Sequence, residues 1–393
     1  MEFKLKELGS LKNGKRVDAQ DAGKYPVYGA NGIVGYHSES ITTGTTIVIG
    51  RVGANCGTVM FSEDPAWLTD NTIAFQPNGN VHNYYIYQLL KSMNLNRFAT
   101  GSAQPLLNQN ALNSFTLNLP SMDIQEKVGE FLYKLDEKIL LNNNLIANLE
   151  ELSQTLFKRW LVNFEFPDEN GNPYKSSGGK FVDTDGFMLP ANWSVESLDN
   201  IAQYTNGLAM QKYKPKDEND KLPVVKIKEL KNGFVDDNSA FCTHSIPDKV
   251  KIFDGDIVFS WSATLLVDIW TGGPAGLNQH LFKVTSDKFQ KWFYYYWTNF
   301  HNKNFIEIAK DKATTMGHIN RKHLKEAKVF IPEEKILQKL DYQMSLYLKE
   351  IVNINLQNKS LAELRDMLLP KLMSGEIELP DELEVDEHAE LLQ

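Results

Sequence analysis

The stretch GSLKNGKR, Gly9 to Arg16, sets four residues between two glycines and a lysine after the second, the outline of a loop that cradles nucleotide phosphates. That chemistry needs Ser or Thr after the lysine to hold magnesium, and a buried strand ahead of the first glycine. Arg16 stands in the magnesium position, and MEFKLKEL alternates polar and apolar like a half-exposed strand or a helix start. His318 and His323 in HINRKH suggest a metal pair, but their spacing places them poorly on one helix face and no carboxylate cluster accompanies them. Cys56 and Cys242 lack CxxC or Cys/His ligand spacing, so they read as reduced structural thiols.

What must position any functional side chain is a duplicated framework. FATGSAQPLLNQNALNSFTLNLPSMDIQEKV (98–128) and KDKATTMGHINRKHLKEAKVFIPEEKILQKL (310–340) fall into one register, matching Leu107 with Ile319, Asn108 with Asn320, Leu112 with Leu324 and Pro120 with Pro332. The register runs on ungapped, pairing Ile139 with Ile351, Leu149 with Leu361, Leu152 with Leu364 and Leu156 with Leu368. Upstream the echo is looser, with FKLKEL (3–8) against WSVESL (193–198) and IVIGRVG (47–53) against IVFSWSA (257–263). Gly207 in LDNIAQYTNGLAM takes the place of Gly14, while neither the first glycine nor Lys15 recurs. The shared feature is a glycine turn, and the phosphate-loop outline is chance.

Both matched segments carry long helical patterns. Apolar residues recur mostly in steps of three and four through Ile124, Val128, Leu132, Leu135, Ile139, Leu145, Leu149, Leu152, Leu156 and Trp160, and again through Leu340, Met344, Tyr347, Ile351, Ile354, Leu361, Leu364 and Leu368, as a coiled-coil seam requires. Asn142 to Asn144 interrupt the first seam; Asn353, Asn355 and Asn358 interrupt the second, a register device. A common phase at a fixed offset predicts that the two helices pair within the chain. The remaining segments mix short β-branched runs such as TTIVIG and DIVFSW with aromatic helices NYYIYQLL and KWFYYYWTNF, which predicts an α+β domain of short antiparallel strands. The organisation expected is a domain over 1–120, a helix over 121–165, a Pro/Gly/Asn-rich linker over 166–192, a second domain over 193–332, a helix over 333–375 and an acidic tail over 376–393.

At 393 residues the chain is too long for one ordinary core. No apolar run reaches a membrane span and MEFKLKELGS holds no signal core, so it reads as a cytoplasmic protein without a membrane. Net charge is −9, but the segments differ: +1 over 1–120, +3 over 193–332 and −8 over 333–393, where 376–393 holds eight acids and no base. Global charge is therefore a poor guide to what the two domains bind.

YPVYGANGIVGY (25–36), RVGANCGTVMF (51–61), LPSMDIQEKVGEFLYKLDEKILLNNN (119–144), LEELSQTLFKRWL (149–161) and LAELRDMLLPKLMSGEI (361–377), set in the plan of domain, helix, domain, helix, closely resemble the specificity subunit of Type I restriction-modification systems. The resemblance covers the whole chain. It implies two target recognition domains, each reading one half of a split site on double-stranded DNA, separated by two long antiparallel helices with an internal pseudo-two-fold duplication. It implies as partners two modification (methyltransferase) subunits and the restriction (translocase/endonuclease) subunits, and a chain that is itself non-catalytic and without cofactor. The acidic tail is no part of the resemblance and reads as solvated disorder.

The residues agree that catalysis lies elsewhere. NPY at Asn172 to Tyr174 falls short of an adenine-methyltransferase pocket, and the carboxylate-x-Lys strings at Asp136 and Glu333 lie on predicted helices instead of nuclease strands. Candidate DNA contacts are side chains that suit base edges or phosphates on glycine-rich loops. They are Lys12, Lys15, Arg16, Asn31, Arg51, Asn55, Gln104 and Asn108 in the first domain, and Lys212, Lys214, Ser262, Thr264, Lys312, Thr315, Asn320 and Arg321 in the second. Val128, Leu135, Ile139, Leu149, Leu152, Leu156, Leu340, Ile351, Leu361, Leu364 and Leu368 are expected to form the interhelical core. The rivals are a coiled-coil adaptor that binds protein, and a fused methyltransferase, which lacks any complete cofactor motif.

Overall fold

The computed structural model describes residues 1–101, 105–236, 238–311 and 317–380. The chain divides into two units, one formed by 1–140 with 360–393 and the other by 141–359.

In the first unit the strand Thr46–Gly50 is buried throughout, as its β-branched run requires. It is central to an antiparallel sheet ordered Gly9–Asn13, Thr72–Pro77, Thr46–Gly50, Val59–Ser62. Ile47, Ile49, Ile73 and Phe75 share a core cluster with Tyr85, Ile86 and Leu90 of the helix Asn83–Ser92, while Val48 and Ala74 share another with Leu68. A second sheet joins the hairpin Tyr25–Gly29/Gly32–His37 to Trp67–Leu68, which runs parallel to Tyr25–Gly29. Glu2–Lys4 pairs with Thr116–Asn118.

The second unit repeats most of this plan, with one further strand, Lys251–Ile252, paired antiparallel to Ala275–Leu277. Its antiparallel sheet runs Gln203–Asn206, Leu281–Thr285, Ile257–Ser260, Leu266–Ile269. Lys221–Val225 is flanked by an antiparallel strand, Phe241–Thr243, and a parallel one, Ala275–Leu277. Ser194–Ser197 pairs with Lys328–Ile331. The aromatic run is the helix Lys291–Asp311, whose Trp292, Phe293 and Trp297 are fully buried. The stretch 166–192, read from composition as a linker, is packed into this unit. Phe166 and Leu189 are buried, and Phe166 stacks between Tyr174 and Trp193.

Two long helices, Met122–Phe157 and Glu334–Ser374, contribute to both units. In the first unit Val128 and Leu132 share a core with Leu372, and Asp136 forms an ion pair with Arg365, so these portions run antiparallel. In the second, Asn142 donates to Gln357 Oε1 (2.7 Å) and Asn358 Oδ1 (2.8 Å), and Phe157 shares a core with Leu340 and Met344. Val128, Leu340 and Ile351 are buried. Leu135, Ile139, Leu149, Leu156, Leu361 and Leu368 are half-buried. Leu152 and Leu364 are corrections: they are 49% and 38% exposed and no part of an interhelical core. The buried faces are turned to admit Asn142 and Ser153 instead, because both polar groups have partners there. Asn142 has its two amide acceptors, and Ser153 donates to the Leu149 carbonyl while accepting from Tyr296. An apolar count cannot see a polar position whose burial is permitted by satisfied hydrogen bonds.

Candidate nucleic-acid interface

Among the described residues, each unit brings nominated loops together at one end of its four-stranded sheet. In the first unit, the strand Gly9–Asn13 ends at Gly14, whose amide donates to Thr72 O (3.0 Å), and Lys15 N then donates to Leu68 O (2.8 Å). This turn leaves Lys15 and Arg16 exposed beyond Lys12, which is exposed on the strand. Gln109 donates to Asn13 Oδ1 (2.9 Å), tying this stretch to the one that follows Leu107. After Thr46–Gly50 the chain enters RVGAN, where Gly53 N donates to Pro105 O (3.1 Å) and Leu107 N to Arg51 O (2.9 Å). The hairpin tip completes the cluster. A Cβ on Gly50 would lie 2.6 Å from Ala30 O and 2.5 Å from Asn55 O, so the absent side chain is what lets the Ala30–Asn31 turn seat against this loop.

The segments 12–16, 28–32, 51–55 and 105–110, which carry the nominated residues described in this unit, therefore converge. Asn31 and Asn55 are exposed there, and Arg51 is half-buried with an Nε that has no partner among the described residues. Below them Cys56 is buried, its thiol donating to Arg51 O (3.3 Å) and its pKa raised by desolvation, the state of a structural thiol.

The second unit builds the same junction from different residues. Ala263 N donates to Gly317 O (3.0 Å) and Ile319 N to Trp261 O (3.1 Å), reproducing the pair made by Gly53 and Leu107. Ala263 takes the left-handed φ of 58° where Gly53 has 71°, and Trp261 stands in the place of Arg51. Gly207 N donates to Leu281 O (2.9 Å), and the one-turn helix Met210–Lys212 follows, with Lys212 and Lys214 exposed. Thr264 is exposed.

Four nominated side chains are committed to the fold. Asn108 Oδ1 caps the helix Gln109–Asn113 by accepting from Ala111 N (2.9 Å), and its repeat-mate Asn320 caps Arg321–Glu326 by accepting from Lys322 N (3.1 Å). Their match in sequence is thus a matched N-cap. His323 serves the same cap, its Nδ1 accepting from Asn320 N (3.0 Å). Arg321 donates to Tyr204 O (3.0 Å) with its guanidinium over the Phe282 ring, and Ser262 is buried against His280 Nδ1 (3.1 Å). Gln104, Lys312 and Thr315 lie outside the described residues. Among the described residues, no group of three or more His, Cys, Asp and Glu is placed to hold a metal ion, and no helix is long and apolar enough to cross a membrane.

A clip in the first unit has no counterpart among the sequence expectations. Asp136 accepts from Tyr84 OH (2.5 Å), from Gln88 Nε2 (2.8 Å) and from Arg365, joining both long helices to the helix Asn83–Ser92. The Tyr84 hydroxyl is held protonated, its pKa raised by burial and by the Asp136 carboxylate. The signal available was a carboxylate inside an apolar seam, whose burial requires hydrogen-bonding or ionic partners.

Comparison with known proteins gives this arrangement its relatives. The family model described as the Type I restriction modification DNA specificity domain matches residues 1–151 and again 190–365. The Type I restriction enzyme MjaIX specificity subunit of Methanocaldococcus jannaschii is 26% identical over 351 residues, covering 86% of this chain and 78% of the relative. The HindI specificity subunit of Haemophilus influenzae is 23% identical over 328 residues, 70% of this chain and 71% of the relative. The crystal structure of a Type I restriction-modification S subunit from M. genitalium shares the fold, with a TM-score of 0.62 at 16% identity over 97% of this chain and 96% of that one. Two matches to one family model, which together take in most of the chain and fall on two units with equivalent four-stranded sheets, make this chain a member of the Type I restriction-modification specificity subunit family.

Proposed function

We propose that this chain is the non-catalytic DNA-reading subunit of a cytoplasmic Type I complex. Each unit reads one half of a bipartite, asymmetric site through the loops gathered at its sheet end. The observation that carries this reading is a shared junction with changed occupants. The Gly53/Pro105 and Ala263/Gly317 crossings have the same hydrogen bonds, while Arg51 is exchanged for Trp261 and the hairpins differ in sequence. A duplicated frame with divergent surfaces suits two different half-sites.

The long helices, of 36 and 41 residues, reach about 54 and about 62 Å at ~1.5 Å per residue. That exceeds one ~34 Å turn of duplex, so an antiparallel coiled coil built from them serves as a spacer. With pseudo-two-fold symmetry it offers near-equivalent faces to two modification subunits. Adenine methylation, translocation and cleavage belong to the modification and restriction subunits. Family membership disfavours the adaptor alternative.

Single-molecule sequencing of genomic DNA with and without the gene tests the reading: one split motif, methylated at adenine on both strands, should disappear. An unchanged methylome from a cell in which the complex is assembled would overturn it.

A further inference from the structure

The hairpin of the first unit carries an apolar strip that its own fold leaves uncovered. Ile33, Val34 and Tyr36 are 53%, 58% and 40% exposed. The strand Gly32–His37 lies at the sheet edge, its outer side paired at Tyr36, whose backbone exchanges two hydrogen bonds with Gln20 (3.0 and 2.7 Å). An exposed apolar strand at an edge invites unwanted pairing and is ordinarily blunted by charge. A bulge makes the strip. Tyr28 pairs with Ile33 and Val27 with Gly35, so Val34 is the inserted residue and breaks the alternation that would have hidden one of the two. The arrangement is held in place, since a Cβ on Gly29 would lie 2.7 Å from Val34 Cγ1. A glycine is needed there for the valine to lie over the strand.

The surroundings point to the occupant. Tyr25 to His37 contains no acid and is preceded by exposed Lys24. Its Ala30–Asn31 tip seats against the loop of Arg51 and Asn55. Its far end lies beside Trp67, whose ring is 4.8 Å from that of His37 and whose indole donates to the Lys15 carbonyl (3.0 Å). The strip thus lies between two sets of polar groups, with cations at Arg51, Lys15 and Lys24 and with exposed Asp18 and Asp21 on either side of the Gln20 that pairs with Tyr36. A two-stranded ribbon of these dimensions enters a major groove, where the apolar feature of a base edge is the thymine 5-methyl group. The second unit puts exposed apolar residues at the same topological place: Phe241, 39% exposed on the strand paired with Lys221–Val225, and Phe234, 54% exposed in the connection between them.

We infer that Ile33 and Val34 are specificity-determining residues that read thymine methyl groups in the half-site of the first unit. The inference rests on the proposed DNA-reading function and adds the base feature read.

The test uses the complex assembled with its modification subunits, and a duplex carrying the methylated motif. That half-site should contain an A·T pair. Replacing its thymines by deoxyuridine removes only the methyl groups and should weaken binding about four- to fifteenfold, the value of one or two buried methyl-sized groups. Ile33→Thr/Val34→Thr, which keeps β-branching at both exposed positions, should weaken binding to the thymine duplex similarly, be nearly indifferent to deoxyuridine, and leave the salt dependence unchanged. A variant and a deoxyuridine duplex that both bind as wild type with thymine would overturn the inference while leaving the DNA-reading function intact. A half-site without an A·T pair would also overturn it. Loss of modification subunits from the variant, with DNA affinity per complex unchanged, would assign the strip to a protein partner and overturn it as well. Wild-type complex without salt-dependent, motif-specific binding would bring down the proposed function itself.

Discussion

Gly14 and Gly207 occupy the same structural position in their respective units. Each amide donates to the first residue of the adjacent strand, Thr72 or Leu281, and the next amide donates to Leu68 or Leu277. A Cβ would stand 2.0 Å from Thr69 O at Gly14 and 2.2 Å from Asn278 O at Gly207. The glycine that outlined a phosphate loop is therefore where one backbone crosses another, and no nucleotide is needed to explain it.

Gly14→Ala and Gly207→Ala should each destabilise by about 2–4 kcal/mol, since the clash is with backbone and cannot be relieved by a rotamer change. Urea denaturation of the full chain measures this. Two equal losses are expected from equivalent positions, and a wild-type midpoint for either variant would contradict the equivalence.

Ala263→Gly should raise stability by about 0.5–1 kcal/mol. Alanine is strained at a left-handed φ of 58° where the first unit has Gly53, and the strain relieved, about 1–2 kcal/mol, exceeds the entropy that glycine adds to the unfolded chain. Gly53→Ala should lower stability by a similar amount. Thermal denaturation of both variants checks the pair of opposite signs.

The Asp136–Arg365 ion pair is only 21% and 19% exposed at its two side chains, so removing one partner strands a poorly solvated charge. Arg365→Met and Asp136→Leu should each cost about 1–3 kcal/mol, and the double variant less than their sum. A double-mutant cycle in urea reads the coupling. Strict additivity would mean that the pair contributes only as two independent packing groups.

Asp268, half-buried in the second unit, has a carboxyl pushed up to about 6 by desolvation, and burial also raises Glu150, with Asp268 adding repulsion. The folded state therefore holds these protons more tightly than the unfolded chain. The contribution of Asp268 to stability is fully present below about pH 4 and is lost as pH rises through about 6, with Glu150 acting in the same direction. Asp268→Asn should flatten this part of the stability profile and stabilise the chain near pH 7. Stability measured by urea between pH 4 and 7 in wild type and variant checks the slope.

The duplication, the two long helices and the position of the short strands were legible in the sequence because they rest on local periodicity and on a fixed offset between copies. The same offset aligned Asn108 with Asn320, yet it could not tell a shared helix cap from a shared DNA contact. Both need a small polar side chain beside a turn. What separates them is the backbone amide that each side chain meets, Ala111 N for Asn108 and Lys322 N for Asn320.

Tertiary structure decided the rest. Which helix face is buried followed from hydrogen bonds that reach across the chain, so Asn142 and Ser153 are inside while Leu152 and Leu364 face outward. The convergence of the 12–16, 28–32, 51–55 and 105–110 stretches depends on glycines admitting close backbone approach between residues far apart in sequence, and no local pattern records that distance. Local periodicity determined the elements; the satisfaction of buried polar groups and the close crossings of backbone determined which surfaces those elements present.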